Sequence, residues 1–364
     1  MKLSIVILNW NGYHHLKRFL PSVVKYSNFD WAELIVADNL STDDSCMLIE
    51  KEFPEIKLLR FNINYGFAEG YNQALKQNSA QYLLLLNSDV EVTENWLEPL
   101  IEMMESDPMI AACQPKILSH REPGKFEHAG AAGGFIDYLG FPFCRGRMIN
   151  SIEKDLGQYD NPINVFWTSG AAMLINNKLW HESGGFDSDF WAHMEEIDLC
   201  WRLKNMGYKM AIVPQSKVFH LGGGSLPYGN PKKIYLNFRN NLFLLFKNLP
   251  KGTLFKTLMI RMILDGIAAI QFLVTGQPKA FIKVLAAHRD FYKSLRVLRN
   301  KRAELSAKVV STDHPEIYRR SIIVDFYLLR KRKFSTLDFP SCEIEKDEKF
   351  VQIMDIEGDK IIPL

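Results

Sequence analysis

The stretch "YLLLLNSDVEV", from Tyr82 to Val92, decides the fold that the sequence predicts. Its first five residues are all apolar or aromatic, which indicates a strand buried on both faces. The chain turns polar at Asn87, Ser88 and Asp89, where this strand should end. Strands of this kind occur in sheets covered by helices, and such sheets bind ligands at the carboxyl ends of their strands. Asp89 therefore stands where a ligand would bind.

Strands and amphipathic segments alternate through the first hundred residues. Short apolar runs ("LSIVIL", "ELIVADN", "IKLLRF") are separated by segments with helical periodicity ("HHLKRFLPSVVKYS", "DDSCMLIEKEF", "FAEGYNQALKQN"). This alternation is typical of units in which a helix connects two parallel strands. The sequence therefore predicts an α/β fold, with a mainly parallel sheet flanked by helices.

Asn or Asp follows each of the four predicted strands. Such residues also favour turns and helix caps, so a single one is more often structural than functional. Because the carboxyl ends of parallel strands meet at one edge of the sheet, four polar ends in succession favour a cradle for a polar ligand. The residues are Asn9 and Asn11, Asp38 and Asn39, Asn62 and Asn64, and Asn87 to Asp89.

Two common nucleotide-binding motifs are absent from the sequence. No G-x-G-x-x-G follows the first strand and no G-x-x-x-x-G-K-[ST] occurs, which argues against a dinucleotide dehydrogenase and a P-loop enzyme. A metal ion is then expected to hold the phosphates of a ligand. The five cysteines are scattered, which argues against a disulfide framework or a zinc site and favours a reducing compartment. The start, "MKLSIVILNWNG", is typical of a first strand and not of a signal peptide.

Beyond the first hundred residues the pattern is less regular. Residues 109–164 include the text "EHAGAAGGFIDYLGFPFCRGR", and we interpret them as a mobile loop region over the sheet. The segment "VFWTSGAAMLINNKLWHESGGFD" predicts a strand and a short helix that ends at paired glycines. The segment "HMEEIDLCWRLKNMG" predicts a helix with an Asp198–Arg202 pair and a stop at Gly207. Next, "YKMAIVPQSKVFHLGGGS" predicts a strand and a glycine-rich turn.

Three acids and one histidine are candidates for chemistry. Glu195 and Glu196 fall in the first turn of the predicted helix, where the helix dipole is expected to keep a general base ionised. Acids at that place are also ordinary capping residues. Asp89 is a hard oxygen ligand, suited to Mg²⁺ or Mn²⁺ that also carries substrate phosphates. His220 could add a second ligand, although a lone histidine at a strand end is more often structural.

Eight segments together resemble the family 2 glycosyltransferases, which are inverting nucleotide-sugar enzymes of the GT-A fold and include bacterial rhamnosyltransferases. The resemblance covers about residues 3–225 in the order and spacing of the family, so it is more specific than any single motif. It is weak beyond about residue 250. The segments are "SIVILNWNG", "VADNLSTDDS", "NINYGFAEGYNQAL", "LLLLNSDVEV", "SGAAMLI", "GGFD", "MEEIDLCWRL" and "VFHLGGG".

The resemblance implies a role for each matching position. Asp89 matches the last position of the D-x-D metal motif, and His220 matches a histidine that completes the metal site in some members. Glu196 matches the aspartate of the E-D pair that supplies the catalytic base. Asp38, with Asn9 and Asn11, would contact the nucleotide base and ribose. The other residues that would bind the nucleotide sugar are Asn64, Gly66, Phe67, Asn72, Asn87, Ser88, Asp89, Ser169 and Gly170.

Two positions depart from the family pattern. The first acid of the D-x-D motif is Asn87 here, so only Asp89 of that motif can bind a metal strongly. The base position carries Glu196, which is one methylene longer than aspartate. Glu195 or Asp198 could therefore share or take the role of the base, although Glu196 is favoured.

The activity that the resemblance implies is metal-dependent, inverting sugar transfer in cell-surface polysaccharide synthesis. The donor would be a nucleoside diphosphate sugar, with deoxythymidine diphosphate rhamnose as first expectation and uridine diphosphate sugars close behind. The acceptor would be a hydroxyl of a glycan or of a polyprenyl-diphosphate-linked sugar. Two other interpretations stay open: a nucleotidyltransferase, although the glycine-rich phosphate loop expected near the first strand is missing, and a catalytically silent sugar-binding or scaffold protein.

Charge divides the sequence into an acidic body and a basic C-terminal third. Residues 232–333 contain 22 Lys and Arg against 6 Asp and Glu, whereas the whole chain has a net charge of +2. In this third, "GTLFKTLMIRMILDGIAAIQFLVTG" is apolar but interrupted by Lys256, Arg261 and Asp265, which favours a surface-lying or core helix over a membrane-spanning one. We interpret the region as an extension that faces an anionic membrane surface; a packing or homodimer element is the alternative.

The sequence thus divides into three predicted parts. Residues 1–250 form the GT-A domain, with a nucleotide-binding half at 1–108 and an acceptor-side half at 109–250. Residues 251–340 form a basic helical extension, and residues 341–364 form a tail. We expect a cytoplasmic enzyme that is peripheral to the cytoplasmic face of the inner membrane, with no nucleic acid partner.

Overall fold

The computed structural model of the chain describes residues 1–222, 230–339 and 342–344. Most of the predicted glycine-rich turn after His220, and most of the C-terminal tail, lie outside these residues. The strands are β1 (Leu3–Asn9), β2 (Ala32–Asp38), β3 (Lys57–Arg60), β4 (Tyr82–Asn87), β5 (Val90–Val92), β6 (Ile110–Ser119), β7 (Gly134–Asp137), β8 (Pro142–Cys144), β9 (Arg147–Met148), β10 (Ser151–Ile152), β11 (Ile163–Val165), β12 (Ala172–Asn176), β13 (Lys209–His220) and β14 (Ile317–Tyr318). The α-helices are α1 (Tyr13–Tyr26), α2 (Ser45–Glu52), α3 (Ala68–Leu75), α4 (Glu98–Ser106), α5 (Asn177–Ser183), α6 (Glu195–Asn205), α7 (Pro231–Asn248), α8 (Lys251–Val274), α9 (Pro278–Ser306) and α10 (Ile322–Tyr327).

The large sheet has nine strands within the described residues. Eight follow the order β11-β13-β6-β12-β4-β1-β2-β3, and the short β5 pairs with β13. Strands β3, β2, β1 and β4 are parallel, and helices α1, α2 and α3 connect them. The other pairings are antiparallel except that between β6 and β13. The predicted α/β fold is confirmed, and the four neighbouring parallel strands all precede β5 in the chain.

Strand β4 lies inside this sheet and is buried on both faces, as predicted. Its residues Tyr82 to Leu86 are at most 4% exposed. Leu83 and Leu85 pack into the cluster that includes α3 and α6, whereas Leu84 and Leu86 pack on the opposite face with α1, α2 and α4. Successive side chains of a strand point to opposite faces, so an uninterrupted apolar run fills both cores at once.

The interpretation of residues 109–164 as a mobile loop region is wrong. Strand β6 is ten residues long and lies inside the large sheet, and strands β7 to β10 form a second sheet with β14. Glycine serves close packing there, since a Cβ on Gly134 would lie 2.2 Å from the Trp167 ring. The strands of the second sheet have only two to four residues, which is too short for a periodic pattern in the sequence.

The two helices predicted after this region are confirmed. Helix α5 ends at Gly184, whose left-handed φ of +85° suits a glycine that stops a helix. Helix α6 buries the predicted apolar face, and its Asp198 Oδ2 accepts a hydrogen bond from Arg202 Nε at 2.8 Å. Gly207, with φ of +96°, follows the last turn of α6.

Helices α7, α8 and α9 cover most of residues 231–306 and pack beside α6. The rings of Phe246 in α7 and Phe291 in α9 have centroids 5.9 Å apart. Lys301 of α9 donates to Asp187 at 2.5 Å and to Asp189 at 2.7 Å, in the segment that precedes α6. The basic helices are therefore attached to the elements that carry the predicted catalytic acids.

Candidate active site

The carboxyl ends of β1 and β2 bring two of the predicted residues into contact. The register pairs Asn9 with Asp38, and Asn9 Nδ2 donates to Asp38 Oδ1 at 3.0 Å. The other oxygen of Asp38 accepts from the backbone N–H of Ser41 at 2.9 Å. Both side chains are buried, and Asn9 Oδ1 has no hydrogen-bond partner in the described residues. At this edge of the sheet, Asn9 Oδ1 could therefore accept a hydrogen bond from a ligand.

The loop after β3 is held against the segment that precedes α6. Asn39 is buried and donates to Asn64 Oδ1 at 3.1 Å and to the Gly66 carbonyl at 2.9 Å. The N–H groups of Phe67 and Ala68 donate to the carbonyl of Trp191. Gly66 has φ of +75°, and a Cβ there would lie 2.6 Å from the Trp191 indole nitrogen. Asn39 received no role in the sequence analysis, although it was noted at the same sheet edge.

Asn11 and Asn72 use their amides within the protein. Asn11 adopts a left-handed φ of +49° at the exposed end of β1, and its Oδ1 accepts from the Thr42 N–H at 2.7 Å. The side chain of Asn72 pairs with the backbone of Phe186, donating to its carbonyl at 2.8 Å and accepting from its N–H at 3.0 Å. Asn72 thereby connects α3 to the segment after α5, which favours a positioning role over direct contact with a ligand.

Asp89 and His220 meet, although 131 positions separate them in sequence. Strand β5 pairs with the end of β13, and this register sets Asp89 Oδ1 3.1 Å from His220 Nε2. Burial opposes both charges, but the mutual attraction prevails and lowers the pKa of Asp89. The same attraction, together with Glu127, raises the pKa of His220 to about 10.

Glu127 is a member of this cluster that the sequence analysis missed. Its Oε2 lies 3.6 Å from His220 Nδ1 and accepts a hydrogen bond from the Ala129 N–H. Although Glu127 is itself buried, His220 lowers the pKa of its carboxyl. Glu127 lies in the text that was interpreted as a loop, and no motif or periodicity singles it out. Only the packing of the segment after β6 against β13 brings the two residues together.

Asp89 and His220 together suit a divalent ion that takes most of its ligands from the phosphates of a substrate. The pair joins one carboxylate to one histidine, whose Nε2 must release its proton when an ion binds, and Glu127 stands at the opposite ring nitrogen, an arrangement typical of metal-ligating histidines. Among the described residues, no group of three or more His, Cys, Asp or Glu side chains could hold a metal ion alone. Ions such as Mg²⁺ take few protein ligands when substrate phosphates complete their shell.

The start of α6 presents the two predicted acids on strained backbone. Trp191, His193 and Met194 all have left-handed φ, between 63° and 71°, and such residues collect at functional sites. Glu195 is buried, Glu196 is partly exposed, and each has an Oε2 atom without a hydrogen-bond partner in the described residues.

Burial outweighs the helix dipole at these two acids. Burial raises the pKa of Glu196 to about 7. Burial, together with the charge of Glu196, raises the pKa of Glu195 well above its usual range. Desolvation of a carboxylate inside the protein outweighs the favourable but smaller effect of a helix N-terminus.

Contacts among aromatic rings place the acids near the sheet edge. A Cβ on Gly170 would lie 3.7 Å from the Phe67 ring and 3.8 Å from Glu196 Cβ, so these three residues adjoin. Phe67 packs edge-on against Tyr71, with ring centroids 5.0 Å apart. Burial raises the pKa of the Tyr71 hydroxyl, and the charges of both Asp89 and Glu195 add to the effect. The metal-ligating candidate and the acids of α6 therefore flank one aromatic cluster.

Four further predicted residues separate into two groups. Asn87 and Ser88 lie partly exposed at the end of β4, beside Asp89. Ser169 is buried, and its hydroxyl donates to the Ala129 carbonyl at 2.8 Å, which points to a structural role. Asp198 is fully buried and accepts from Arg202 and from Lys247, each at 2.8 Å. A carboxylate held by two cations is a poor base, so the structure argues against Asp198 in that role.

The fold, with polar residues and acids gathered at the carboxyl edge of its sheet, is that of the nucleotide-sugar-dependent enzymes of the GT-A class. Residues 4–180 match the family model described as "Glycosyl transferase family 2". This match identifies residues 4–180 as a family 2 glycosyltransferase domain, and the chain resembles bacterial rhamnosyltransferases.

Two bacterial relatives illustrate this likeness. The chain is 24% identical over 237 residues to the N-acetylglucosaminyl-diphospho-decaprenol L-rhamnosyltransferase of Mycobacterium tuberculosis, an alignment that covers 60% of this chain and 75% of that protein. It is 24% identical over 222 residues to the O-antigen biosynthesis protein RfbC of Myxococcus xanthus, covering 60% of this chain but only 17% of that protein.

Solved structures share the fold at low sequence identity. S. aureus TarS 1-349 in complex with UDP-GlcNAc has a TM-score of 0.54 and 14% identity, covering 85% of this chain and 88% of that one. GalNAc-T7 with UDP, GalNAc and Mn²⁺ has a TM-score of 0.52 and 19% identity, covering 67% of this chain and 47% of that one. These likenesses support the GT-A fold.

Proposed function

We propose that Glu196 is the general base of an inverting sugar transfer from a nucleoside diphosphate sugar to an acceptor hydroxyl. One observation carries the assignment. Glu196 is a partly exposed acid at the start of α6, one of its oxygens has no partner among the residues that the structure describes, and burial raises its pKa to about 7. A base of that pKa accepts a proton near neutral pH and still holds it strongly enough to promote attack. Glu195 is more deeply buried, which suits a supporting role.

Proton transfer and charge stabilisation would fall to different parts of the cleft. Glu196 would take the proton of the acceptor hydroxyl as that oxygen attacks the anomeric carbon, on the face opposite the departing diphosphate. Asp89 and His220 would hold a Mg²⁺ or Mn²⁺ ion, which supplies Lewis acidity to the departing diphosphate. Glu127 would fix the orientation of the His220 ring from its far side. A single displacement inverts the anomeric centre.

The polar edge of β1, β2 and β3 would bind the nucleoside part of the donor. Asn9 and Asp38 form its buried floor, and Asn64 with Gly66 and Phe67 forms its wall. Deoxythymidine diphosphate rhamnose is the first candidate donor, because a relative with 24% identity over most of its own length is named an L-rhamnosyltransferase. Uridine diphosphate sugars are the second candidate.

A lipid-linked sugar is the proposed acceptor class. The name of the Mycobacterium tuberculosis relative specifies an acceptor on a decaprenyl diphosphate. Such an acceptor lies at a membrane surface, and the basic C-terminal helices of this chain are compatible with that place. We therefore propose that the enzyme works at the cytoplasmic face of the inner membrane, in the synthesis of a cell-surface polysaccharide.

Release of nucleoside diphosphate from a panel of donors tests the proposal. The purified chain would be incubated with deoxythymidine, uridine and guanosine diphosphate sugars, a synthetic polyprenyl-diphosphate sugar acceptor, and Mg²⁺ or Mn²⁺. We expect one donor to react, with a product of inverted anomeric configuration by NMR. Failure of all donors, or a product of retained configuration, would refute the assignment.

A further inference from the structure

Helix α8 carries a row of exposed apolar side chains along one face. Among them, Ile263 and Ile270 are each 60% exposed. The spacing of three or four residues sets all of them on one side of the helix, over a length of about 30 Å at 1.5 Å per residue. We call these residues the apolar row: Phe255, Met259, Ile263, Ile267, Ile270 and Val274.

The two charged residues in the middle of α8 point the other way, into the protein. Arg261 and Asp265 are both buried, and Arg261 Nε donates to Asp265 Oδ1 at 2.8 Å. His288 of α9 lies 3.1 Å from the other Asp265 oxygen, and the Arg261 guanidinium lies over the Phe141 ring. A helix that only needed to dissolve in water would bury its isoleucines and expose these charges. Here the charged face holds the helix to the protein, and the apolar face is left outside.

The exposed charges around the apolar row are all basic. Residues 251–300 contain no exposed acid, because Asp265 is buried and Asp290 is partly buried beside Arg289. Tyr292 of α9 donates to Met262 Sδ of α8 at 3.2 Å, so the outer side of α9 adjoins α8. The exposed cations are Lys251, Lys256, Lys279, Lys283, Arg289, Lys293, Arg296 and Arg299.

We infer that α8 docks flat on an anionic lipid bilayer, with the apolar row inserted at the level between headgroups and acyl chains. The cations of α8 and α9 then contact lipid phosphates. An amphipathic helix with lysine and arginine beside an apolar face is the typical element of such surface binding. This inference concerns attachment alone and does not depend on the donor sugar or on Glu196.

Two other arrangements fit the observations less well. Helix α8 is the one helix in the described part of the chain whose length and composition would allow it to span a bilayer. Spanning would, however, carry the Arg261–Asp265 pair into hydrocarbon and break its contacts to α9 and the body. A second copy of the chain would bring eight exposed cations per subunit together with no exposed acid in residues 251–300 to compensate them.

Vesicle co-sedimentation of the full chain tests the inference. We expect binding to phosphatidylcholine vesicles that contain phosphatidylglycerol, weaker binding without it, and a loss of binding at high salt. The triple variant Ile263→Gln, Ile267→Gln, Ile270→Gln should bind at least tenfold more weakly. The matched control is Leu156→Gln, which removes a leucine that is 82% exposed outside α8 and should bind like the unaltered chain.

A second pair of substitutions separates charge from apolar insertion. Lys279→Gln and Lys283→Gln should each weaken binding to the anionic vesicles about fivefold and leave binding to neutral vesicles unchanged. Circular dichroism and donor-dependent release of nucleoside diphosphate should stay unchanged in every variant, so a folding defect would be recognised. Undiminished vesicle binding by the triple variant would overturn the inference. The inference would also be overturned if the unaltered chain eluted as a dimer in gel filtration without lipid and the triple variant eluted as a monomer.

Discussion

The start of α6 and the middle of α8 both bury carboxylates, with opposite consequences. Asp265 in α8 faces Arg261 and His288, and although burial opposes its charge, these partners lower its pKa. Glu196 in α6 forms no ion pair within the described residues, and burial raises the pKa of its carboxyl to about 7. A buried acid with cations therefore serves structure, whereas a largely desolvated acid without them, partly open to the cleft, retains the basicity that catalysis needs.

The largest effect expected from this comparison is the loss of activity in Glu196→Gln. Removing a general base lowers kcat by about 10²- to 10⁴-fold, because proton removal in the transition state is lost. Donor binding should be unchanged, since the amide keeps the shape of the side chain. Steady-state kinetics and calorimetric donor titration measure the two properties.

The matched control is Glu182→Gln, which alters a surface acid of α5. It should behave like the unaltered enzyme. If Glu196→Gln retained activity while Glu195→Gln lost it, the base would be Glu195, and the contrast between Glu196 and Asp265 would no longer hold.

The corresponding substitution in α8, Asp265→Asn, should lower the free energy of unfolding and leave the rate of sugar transfer unchanged. It leaves the Arg261 charge buried without its carboxylate, which typically costs about 3–5 kcal/mol of unfolding free energy. Because pairing lowers the pKa of Asp265, its contribution is present above the unfolded value and is lost as pH falls through the folded one. Urea unfolding at pH 7 and at pH 3.5 measures the difference, which should shrink at the lower pH.

Glu196→Gln should raise the free energy of unfolding, by less than Asp265→Asn lowers it. Between the unfolded pKa of 4.5 and the folded pKa of about 7, the folded carboxyl binds more protons, so stability falls as pH rises through this window. Removing the carboxyl should therefore raise the unfolding free energy by roughly 1–3 kcal/mol at pH 8. The gain should be smaller at pH 5; an equal gain at both pH values would contradict the assigned ionisation.

The smallest effect is the pH dependence of the unaltered enzyme. Since the base must be ionised, kcat should rise about tenfold per pH unit below an apparent pKa near 7 and level off above it. A profile that is flat from pH 5 to pH 8 would mean that the acting carboxylate has an ordinary pKa, as expected for an acid beside a cation.

Long patterns in the sequence predicted the first half of the protein well. Apolar runs identified the four parallel strands, and the longest of them, Tyr82 to Leu86, belongs to an interior strand that fills two cores. The helix at Glu195 was predicted together with its ion pair and its glycine stop. The resemblance also paired Asp89 with His220, which no local pattern could have done.

Sequence patterns did not predict the short strands or the contacts between residues that lie far apart in the sequence. The second sheet has strands too brief for periodicity, and its glycines suggested mobility because the rings that press on them lie far away in sequence. Glu127 reaches His220 only through the packing of the segment after β6. In α8, Arg261 and Asp265 were counted as interruptions of an apolar run, whereas the fold pairs them inside and leaves the isoleucines outside.

The sequence by itself determined where the strands and helices of the first hundred residues lie, which polar residues end the parallel strands, and that two acids open α6. These follow from periodicity and capping, which act within a few residues. Only the tertiary structure decided which acids are ionised and which face water. Lys247 of α7 reaches Asp198, the fourth residue of α6, but not Glu196, the second, and that difference in partners separates their pKa values. The pKa of a carboxyl depends on its burial and on charges from distant parts of the chain, and the local sequence specifies neither.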